Sequence, residues 1–270
     1  MTHPEGPDPV TSTAEDAVFG TRNRPYPIEG TYNFRSTAGH SPTAAGTPAR
    51  ALRDGKLYRS DALHALTDAG RRQVSELRIR LVIDLRDHTE LASSPSRLYG
   101  LGITTHHHPV FEQGNVPGAA AITTLPEIYR LMITRHARRL ADAVRLIADS
   151  GTDPVLVHCT AGKDRTGLVV ALALLGAGID RDHVILDYTA SEENLAGEWA
   201  ETMITAMAGH PGLGTGEELR QIITASPATV LATTLDLVDE LYGGAAGLLK
   251  AHGFSDADLA RLTDVLTTTR

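Results

Sequence analysis

The chain has 270 residues, 41% of them hydrophobic and 21% charged, enough apolar material for a packed core, which excludes a wholly disordered chain. Its 33 acidic residues against 25 basic ones give a net charge of −8, a sign that argues against a nucleic-acid binder. One cysteine, Cys159, excludes an internal disulfide framework.

Residues 1–24 are polar, contain prolines and lack apolar periodicity, so they read as a flexible tail ahead of a single domain over 25–270. Residues 1–10 show no basic-then-apolar leader, and the longest apolar run, 167–179, is shorter than the ~20 residues of a membrane span. The expectation is a cytoplasmic protein without integral membrane association, its export open only by a route that needs no such leader.

Residues 39–50, rich in Gly, Ala, Thr and Pro, read as a loop. Leu57-Tyr58-Arg59-Ser60 reads as a short strand leaving a turn at Gly55. Thr67 caps a helix running to about Leu77, with Val74 and Leu77 on its inner face. Residues 81–85 form a compact apolar run, the signature of a buried strand, and 103–110 are a weaker strand candidate. Residues 125–150 carry one long helical pattern, with Leu125, Ile128, Leu131, Leu140, Val144 and Ile147 apolar. Residues 154–158 are a second buried strand, followed by an apolar helix over 165–175 that Gly176 and Gly178 end. From Asp182 onward the pattern is nearly all helical. Ser226 caps and Pro227 opens a helix to Tyr242, which Gly243 and Gly244 stop, and Ser255 caps a last helix with Leu259, Leu262 and Val265 on one face. Strands alternating with helices predict an α/β fold, a central sheet flanked by helices.

His106, His107 and His108 invite a metal reading, but consecutive strand residues point to opposite faces and cannot all bind one ion, so they read as a strand end. Arg130, Arg135, Arg138, Arg139 and Arg145 make a basic helix face that is solvated or meets an anionic partner.

The chemistry concentrates in Val155-Leu156-Val157-His158-Cys159-Thr160-Ala161-Gly162-Lys163-Asp164-Arg165-Thr166-Gly167: a strand, a short loop and a helix start. Such a loop turns successive backbone N–H groups toward one point, and the orphan donors of the helix N-terminus complete an anion site. Thr160, Ala161, Gly162 and Lys163 would line it, and Arg165 would grip two phosphate oxygens through its planar fork. The same field favours the Cys159 thiolate, a nucleophile for phosphorus. Thr166 is placed to hydrogen-bond that thiolate, and His158 either orients the loop or is a satisfied core histidine. Phosphoryl transfer also needs an acid for the leaving oxygen. Asp164, inside the loop, is the first choice. Its competing reading is a surface carboxylate balancing Lys163 and Arg165. Asp84 and Asp87, at the end of the strand over 81–85, are runners-up, with Arg86 beside them for a second anionic group. No metal or cofactor is expected, because the loop supplies the positive charge.

With these residues in view, the chain resembles the cysteine-dependent (Cys-x5-Arg) phosphatases, in particular a bacterial tyrosine-protein phosphatase branch of the mycobacterial protein tyrosine phosphatase B type. The form Cys159-Thr160-Ala161-Gly162-Lys163-Asp164-Arg165 carries the resemblance. Asn33-Phe34-Arg35, Leu57-Tyr58-Arg59-Ser60, Ile83-Asp84-Leu85-Arg86 and Tyr242-Gly243 with Leu248-Leu249 fall in the branch's order, so it spans roughly Tyr26 to the C-terminus. The resemblance implies a protein tyrosine phosphatase-like fold, Cys159 as nucleophile, Arg165 on phosphate and Asp164 as in-loop acid. It implies activity on phosphotyrosine, weaker activity on phosphoserine and phosphothreonine, and in some members on phosphoinositides, a breadth associated with the loop lysine, here Lys163. It also implies a helical lid, for which 189–224 is the candidate, with Trp199, Met203, Ile204 and Met207 at helical spacings; those four equally fit a core-facing stripe. The expected partner is a phosphorylated protein, a phospholipid or a small phosphomonoester, and the reading from another class is a phosphate-binding module without turnover.

Overall fold

A computed structural model describes residues 28–38, 50–111, 124–208 and 216–269; the tail read over 1–24 and most of the loop read over 39–50 lie outside them. Strands β3 (Leu57–Ser60), β4 (Leu81–Asp84) and β6 (Val155–His158) are short runs of almost wholly buried residues, as strands covered on both faces must be. They run parallel with β6 in the middle, which sets Ser60 and Asp84 on either side of His158. β1 (Arg35–Ser36), antiparallel to β3, and β5 (Thr104–His107), parallel to β4, complete a five-stranded sheet of order β1-β3-β6-β4-β5. β2 (Arg50–Leu52) and β7 (Thr267–Thr269) form a separate antiparallel pair that periodicity did not announce.

Successive strand side chains point to opposite faces and divide the core in two. Leu57, Ile83, Val155 and Val157 face the larger cluster, while Tyr58, Val82 and Leu156 face a smaller one with Phe34, Leu63, Leu66 and Val74. Val74 comes from α1 (Asp68–Glu76), whose first turn is capped as expected: Thr67 Oγ1 accepts the Gly70 N–H at 3.0 Å. α5 (Asp164–Gly176) sits in the larger cluster and is buried from Thr166 to Leu174. Each large apolar side chain so buried is worth about 1.5–3 kcal/mol.

Two expectations are corrected and one element is added. The helix expected over 125–150 is two, α3 (Leu125–Arg135) and α4 (Ala137–Ala148), broken at His136. The buried positions Leu125, Tyr129, Met132, Ile133, Ala137, Leu140 and Ala141 keep one helical phase across the break, so period alone cannot reveal it. Ser226 does not cap the long helix, which begins at Ala228; its hydroxyl donates to the Thr189 carbonyl at 3.0 Å and its N–H to Glu192 at 2.9 Å, tertiary partners that displace the local cap. Finally α2 (His88–Ser93), unread in the sequence, follows β4. None of its residues is buried, so it has no hydrophobic period, yet Asp87 and Glu90 form a full capping box.

The C-terminal half is helical as expected: α6 (Arg181–Asn194), α7 (Glu198–Met207), α8 (Glu217–Thr224), α9 (Ala228–Tyr242), α10 (Ala245–Ala251) and α11 (Asp256–Leu266). α9 ends at Gly243 in the left-handed region, and Ser255 caps α11. On β5 the expected strand end holds: His107 Nε2 meets the Arg86 carbonyl and, just beyond, His108 Nε2 the Arg139 carbonyl, each at 2.8 Å. Among the described residues no single helix is long and apolar enough to cross a membrane.

Candidate active site

The loop between β6 and α5 is held from behind. The Thr160 carbonyl accepts the Ala62 N–H at 3.0 Å, the Ala161 carbonyl accepts Asn33 Nδ2 at 2.9 Å, and the Gly162 carbonyl accepts Arg59 Nη2 at 2.7 Å. With those carbonyls drawn back, the peptide planes turn their N–H groups forward. Among the described residues nothing accepts from the amides of Thr160, Ala161, Gly162 or Lys163. A ring of free donors at the mouth of α5 is an anion cradle.

The scaffold behind it is charged and buried. Arg59 also reaches Asp187, whose second oxygen takes Arg35 Nε at 3.2 Å; Arg35 Nη2 adds the Asp187 carbonyl at 2.7 Å. Burial alone would raise the Asp187 carboxyl, but the two guanidiniums hold it below its ordinary value. Asn33, in turn, is fixed by Asp61, which accepts the Tyr32 and Asn33 amides at 3.1 and 3.0 Å. Burial pushes the Asp61 carboxyl up to about 6, against those hydrogen bonds.

Gly162 takes φ +67°, and a Cβ there would stand 2.1 Å from the Ser60 carbonyl oxygen. No other residue fits so close to β3. Cys159, at the start of the loop, is 2% exposed, and the fully buried Thr166 Oγ1 has no partner among the described residues. His158 Nδ1 lies 3.2 Å from the Cys159 carbonyl, and burial pushes its ring down to about 4, so it is neutral near pH 7.

Arg165 sits in the first turn of α5 and is met end-on by Glu90 of α2: Nη1 to Oε2 at 2.6 Å and Nη2 to Oε1 at 2.7 Å. A guanidinium has two bidentate edges. Glu90 takes one, which leaves the edge formed by Nε for an anion. Thr160 Oγ1 donates to the same carboxylate. Burial would raise the Glu90 carboxyl, but its bonds to Arg165 and that charge hold it at about 2.

Asp84 and Arg86 stand where expected, beside the loop at the strand end, but they engage each other. Arg86 Nε meets Asp84 Oδ1 at 2.9 Å, its Nη1 donates to the Ser94 carbonyl at 2.8 Å and its Nη2 to Ser96 Oγ at 3.0 Å, with both side chains 1% exposed. Arg86, read as a grip for a second anionic group, and Asp84, read as a runner-up acid, are thus both buried and turned onto each other. Asp87 is likewise occupied, accepting the N–H groups of Thr89 and Glu90 at 2.7 and 2.8 Å.

Residues 26–268 match the tyrosine phosphatase family. The chain belongs to that family. Over 279 residues it is 32% identical to the triple specificity protein phosphatase PtpB of Mycobacterium tuberculosis (strain ATCC 25618 / H37Rv), covering 88% of this chain and 98% of that protein. It is 28% identical over 221 residues to a tyrosine-protein phosphatase of Nostoc commune, covering 76% of this chain and 72% of the other. A phosphatase of this family acts on phosphorylated substrates.

Within this tyrosine phosphatase, Asp164 opens α5 with its side chain 26% exposed. Its Oδ1 accepts Tyr129 Oη at 3.0 Å and lies 3.3 Å from Lys163 Nζ. Lys163 itself is fully buried, its ammonium donating to the carbonyls of Ile222 and Ala225, each at 2.8 Å. The side chain read as a substrate contact is therefore turned onto the C-terminal end of α8, where a cation is favoured. α7 and α8 pack on each other through Trp199, Leu219 and Ile223, with Leu195 from the end of α6 and Met203, Ile204 and Met207 against them, and this small cluster touches Ala161 of the loop. The spacings in 189–224 therefore mark the inner stripe of a helical pair that lies on the loop, apart from the main core.

Sequence reasoning missed Glu90, Tyr129 and Tyr188. The Asp87-to-Glu90 spacing was a capping-box signal for the first. Nothing local marks the other two, since Tyr129 reads as one more inward residue of an amphipathic helix.

Proposed function

We propose that the chain hydrolyses phosphate monoesters of the phosphotyrosine class, with activity extending to other phosphorylated residues, through a phosphocysteine intermediate on Cys159. The observation that supports it most is the backward tie of the loop carbonyls, which leaves the loop amides after Cys159 without acceptors among the described residues, beside an Arg165 held by Glu90 along one edge only. In the first step the Cys159 sulfur attacks phosphorus and the ester P–O bond breaks. Arg165 and the amides hold the non-bridging oxygens, and Asp164 gives its proton to the departing oxygen. In the second step Asp164, now a carboxylate, takes a proton from water as that oxygen bonds to phosphorus. The P–S bond breaks, free phosphate leaves, and the unpaired Thr166 hydroxyl supports the returning thiolate.

Accessibility supports Asp164 as the acid. Asp84 is closed by Arg86, Asp87 caps α2 and Glu90 is paired with Arg165, whereas Asp164 keeps one oxygen open. The names of the relatives, a triple specificity phosphatase and a tyrosine-protein phosphatase, support broad specificity centred on tyrosine. A lipid-directed reading built on Lys163 loses its ammonium to two carbonyls of the helical pair.

The test is phosphate release, with chelator present, from a phosphotyrosine peptide, a phosphoserine peptide, a phosphoinositide and several sugar monophosphates, for wild type and Cys159→Ser. Turnover by wild type alone, fastest on phosphotyrosine, is the expected result. Equal activity of both proteins would remove Cys159 from the mechanism, and binding of phosphate esters without turnover by either would make the chain a recognition module.

A further inference from the structure

We infer that Tyr129, backed by Tyr188, is a positioning residue for Asp164, selecting which carboxyl oxygen delivers the proton. The inference rests on the proposed reading of Asp164 as the acid. Tyr129 lies on α3 and Tyr188 on α6, so neither belongs to the loop, yet their hydroxyls form a relay that ends on it. Tyr129 Oη is 3.0 Å from Asp164 Oδ1 and 2.9 Å from Tyr188 Oη. Each phenol has one proton, and an ionised carboxylate only accepts. The order of donation is therefore Tyr188 to Tyr129 to Asp164.

Packing does not ask for these hydroxyls. Both rings are within the main apolar cluster, Tyr129 with no exposed surface and Tyr188 with 1%, and they meet edge-to-face at 6.1 Å and 78°. Phenylalanine would fill the same volume without burying two polar atoms, which cost free energy unless paired. The chain also makes room for the relay: a Cβ at Gly167, one turn after Asp164, would stand 3.1 Å from Tyr188 Cδ2. Burial, and then the Asp164 charge, raise Tyr129 well above an ordinary phenol, so it stays a donor throughout the working range.

The consequence falls on Asp164. Its Oδ1 is occupied by Tyr129 and faces Lys163, while Oδ2 has no partner among the described residues. The transferable proton is thereby confined to Oδ2, and the carboxyl plane is held by a rigid ring instead of rotating freely. A fixed donor geometry matters most when the leaving oxygen is basic and needs its proton early.

The experiment compares wild type, Tyr129→Phe, Tyr188→Phe and Asp164→Asn on a series of aryl phosphates whose phenols range from dinitrophenol to phenol. The readout is the dependence of kcat/KM on leaving-group acidity. It is a ratio between substrates on one preparation, so a partly unfolded variant does not distort it. Asp164→Asn is expected to give the steepest dependence. Tyr129→Phe is expected to lose roughly ten- to a hundredfold with phenyl phosphate and only a few-fold with the dinitrophenyl ester, and Tyr188→Phe less in the same direction. A steep Asp164→Asn beside a Tyr129→Phe whose losses are equal across the series, or absent, overturns the inference and leaves the acid in place. An Asp164→Asn variant with no steepening overturns the acid assignment and the inference with it.

Discussion

Glu90 and Arg165 face each other in a bidentate pair of 2.6 and 2.7 Å that joins α2 to the first turn of α5. The contact fixes the guanidinium along one edge, and on the proposed reading it leaves the edge at Nε for phosphate. The same Glu90 completes the capping box of its own helix by accepting the Asp87 N–H at 2.9 Å. One side chain thus ties the start of its own helix to the orientation of the Arg165 guanidinium.

Glu90→Gln keeps the shape and one hydrogen bond but loses the charge. Arg165 is then free to swing, and kcat/KM for an aryl phosphate is expected to fall roughly ten- to a hundredfold, corresponding to about 1.4–2.8 kcal/mol. Steady-state kinetics measures it, and an unchanged kcat/KM would show that Arg165 is held by its own helix.

Gly162→Ala is expected to abolish most turnover while the rest of the fold persists. The strain is local: a left-handed φ of +67° and a methyl 2.1 Å from the Ser60 carbonyl carbon's oxygen cannot coexist, so the loop must move off β3. Phosphate release measured beside near-ultraviolet circular dichroism separates the two; wild-type activity in this variant would contradict the described loop.

Lys163→Met removes an ammonium that holds the last turn of α8 and keeps an apolar stem of similar length. Hydrogen exchange is expected to quicken at residues 217–225 and to remain unchanged in β6, with a loss of about 1–3 kcal/mol if the freed carbonyls stay buried. Exchange that rises equally in both places would mean that Lys163 supports the core and not the helical pair.

The pH dependence of stability contains two opposed contributions. His158 falls from 6.5 to about 4 on folding, so the unfolded chain binds a proton more readily and stability is lost as pH drops from about 6.5 toward 4. Asp61 rises from 3.8 to about 6, so the native state takes up a proton first and stability is gained as pH drops from about 6 toward 4. These offset each other in wild type. Asp61→Asn is expected to expose the loss due to His158 in urea unfolding between pH 6.5 and 4. Below about 4.5 both proteins lose the stability of Glu90, whose native carboxyl titrates at about 2. A variant no more acid-sensitive than wild type would count against the offset.

Much of the fold was legible because its signals are local. The runs at β4 and β6 are nearly continuous apolar stretches, β3 leaves a turn at Gly55, and Thr67 and Ser255 are caps whose side chains accept from N–H donors three residues on. The break at His136 was not legible, since the buried phase runs through it, and α2 was passed over because it buries nothing. Asp84 and Arg86 were correctly placed at a strand end beside the loop, but their mutual pairing depends on Ser94 and Ser96 closing round them, which no spacing rule contains.

By itself the sequence determined the strand, loop and helix that carry Cys159, Asp164 and Arg165, because that motif is contiguous and its backbone geometry follows from residues within one turn of each other. Tertiary structure alone decided which partners those side chains meet: Glu90 on Arg165, Tyr129 on Asp164, and the end of α8 on Lys163. Those partners are 75, 35 and 59 residues away, respectively, and a hydrogen bond depends on where two atoms lie in space, which chain order does not specify.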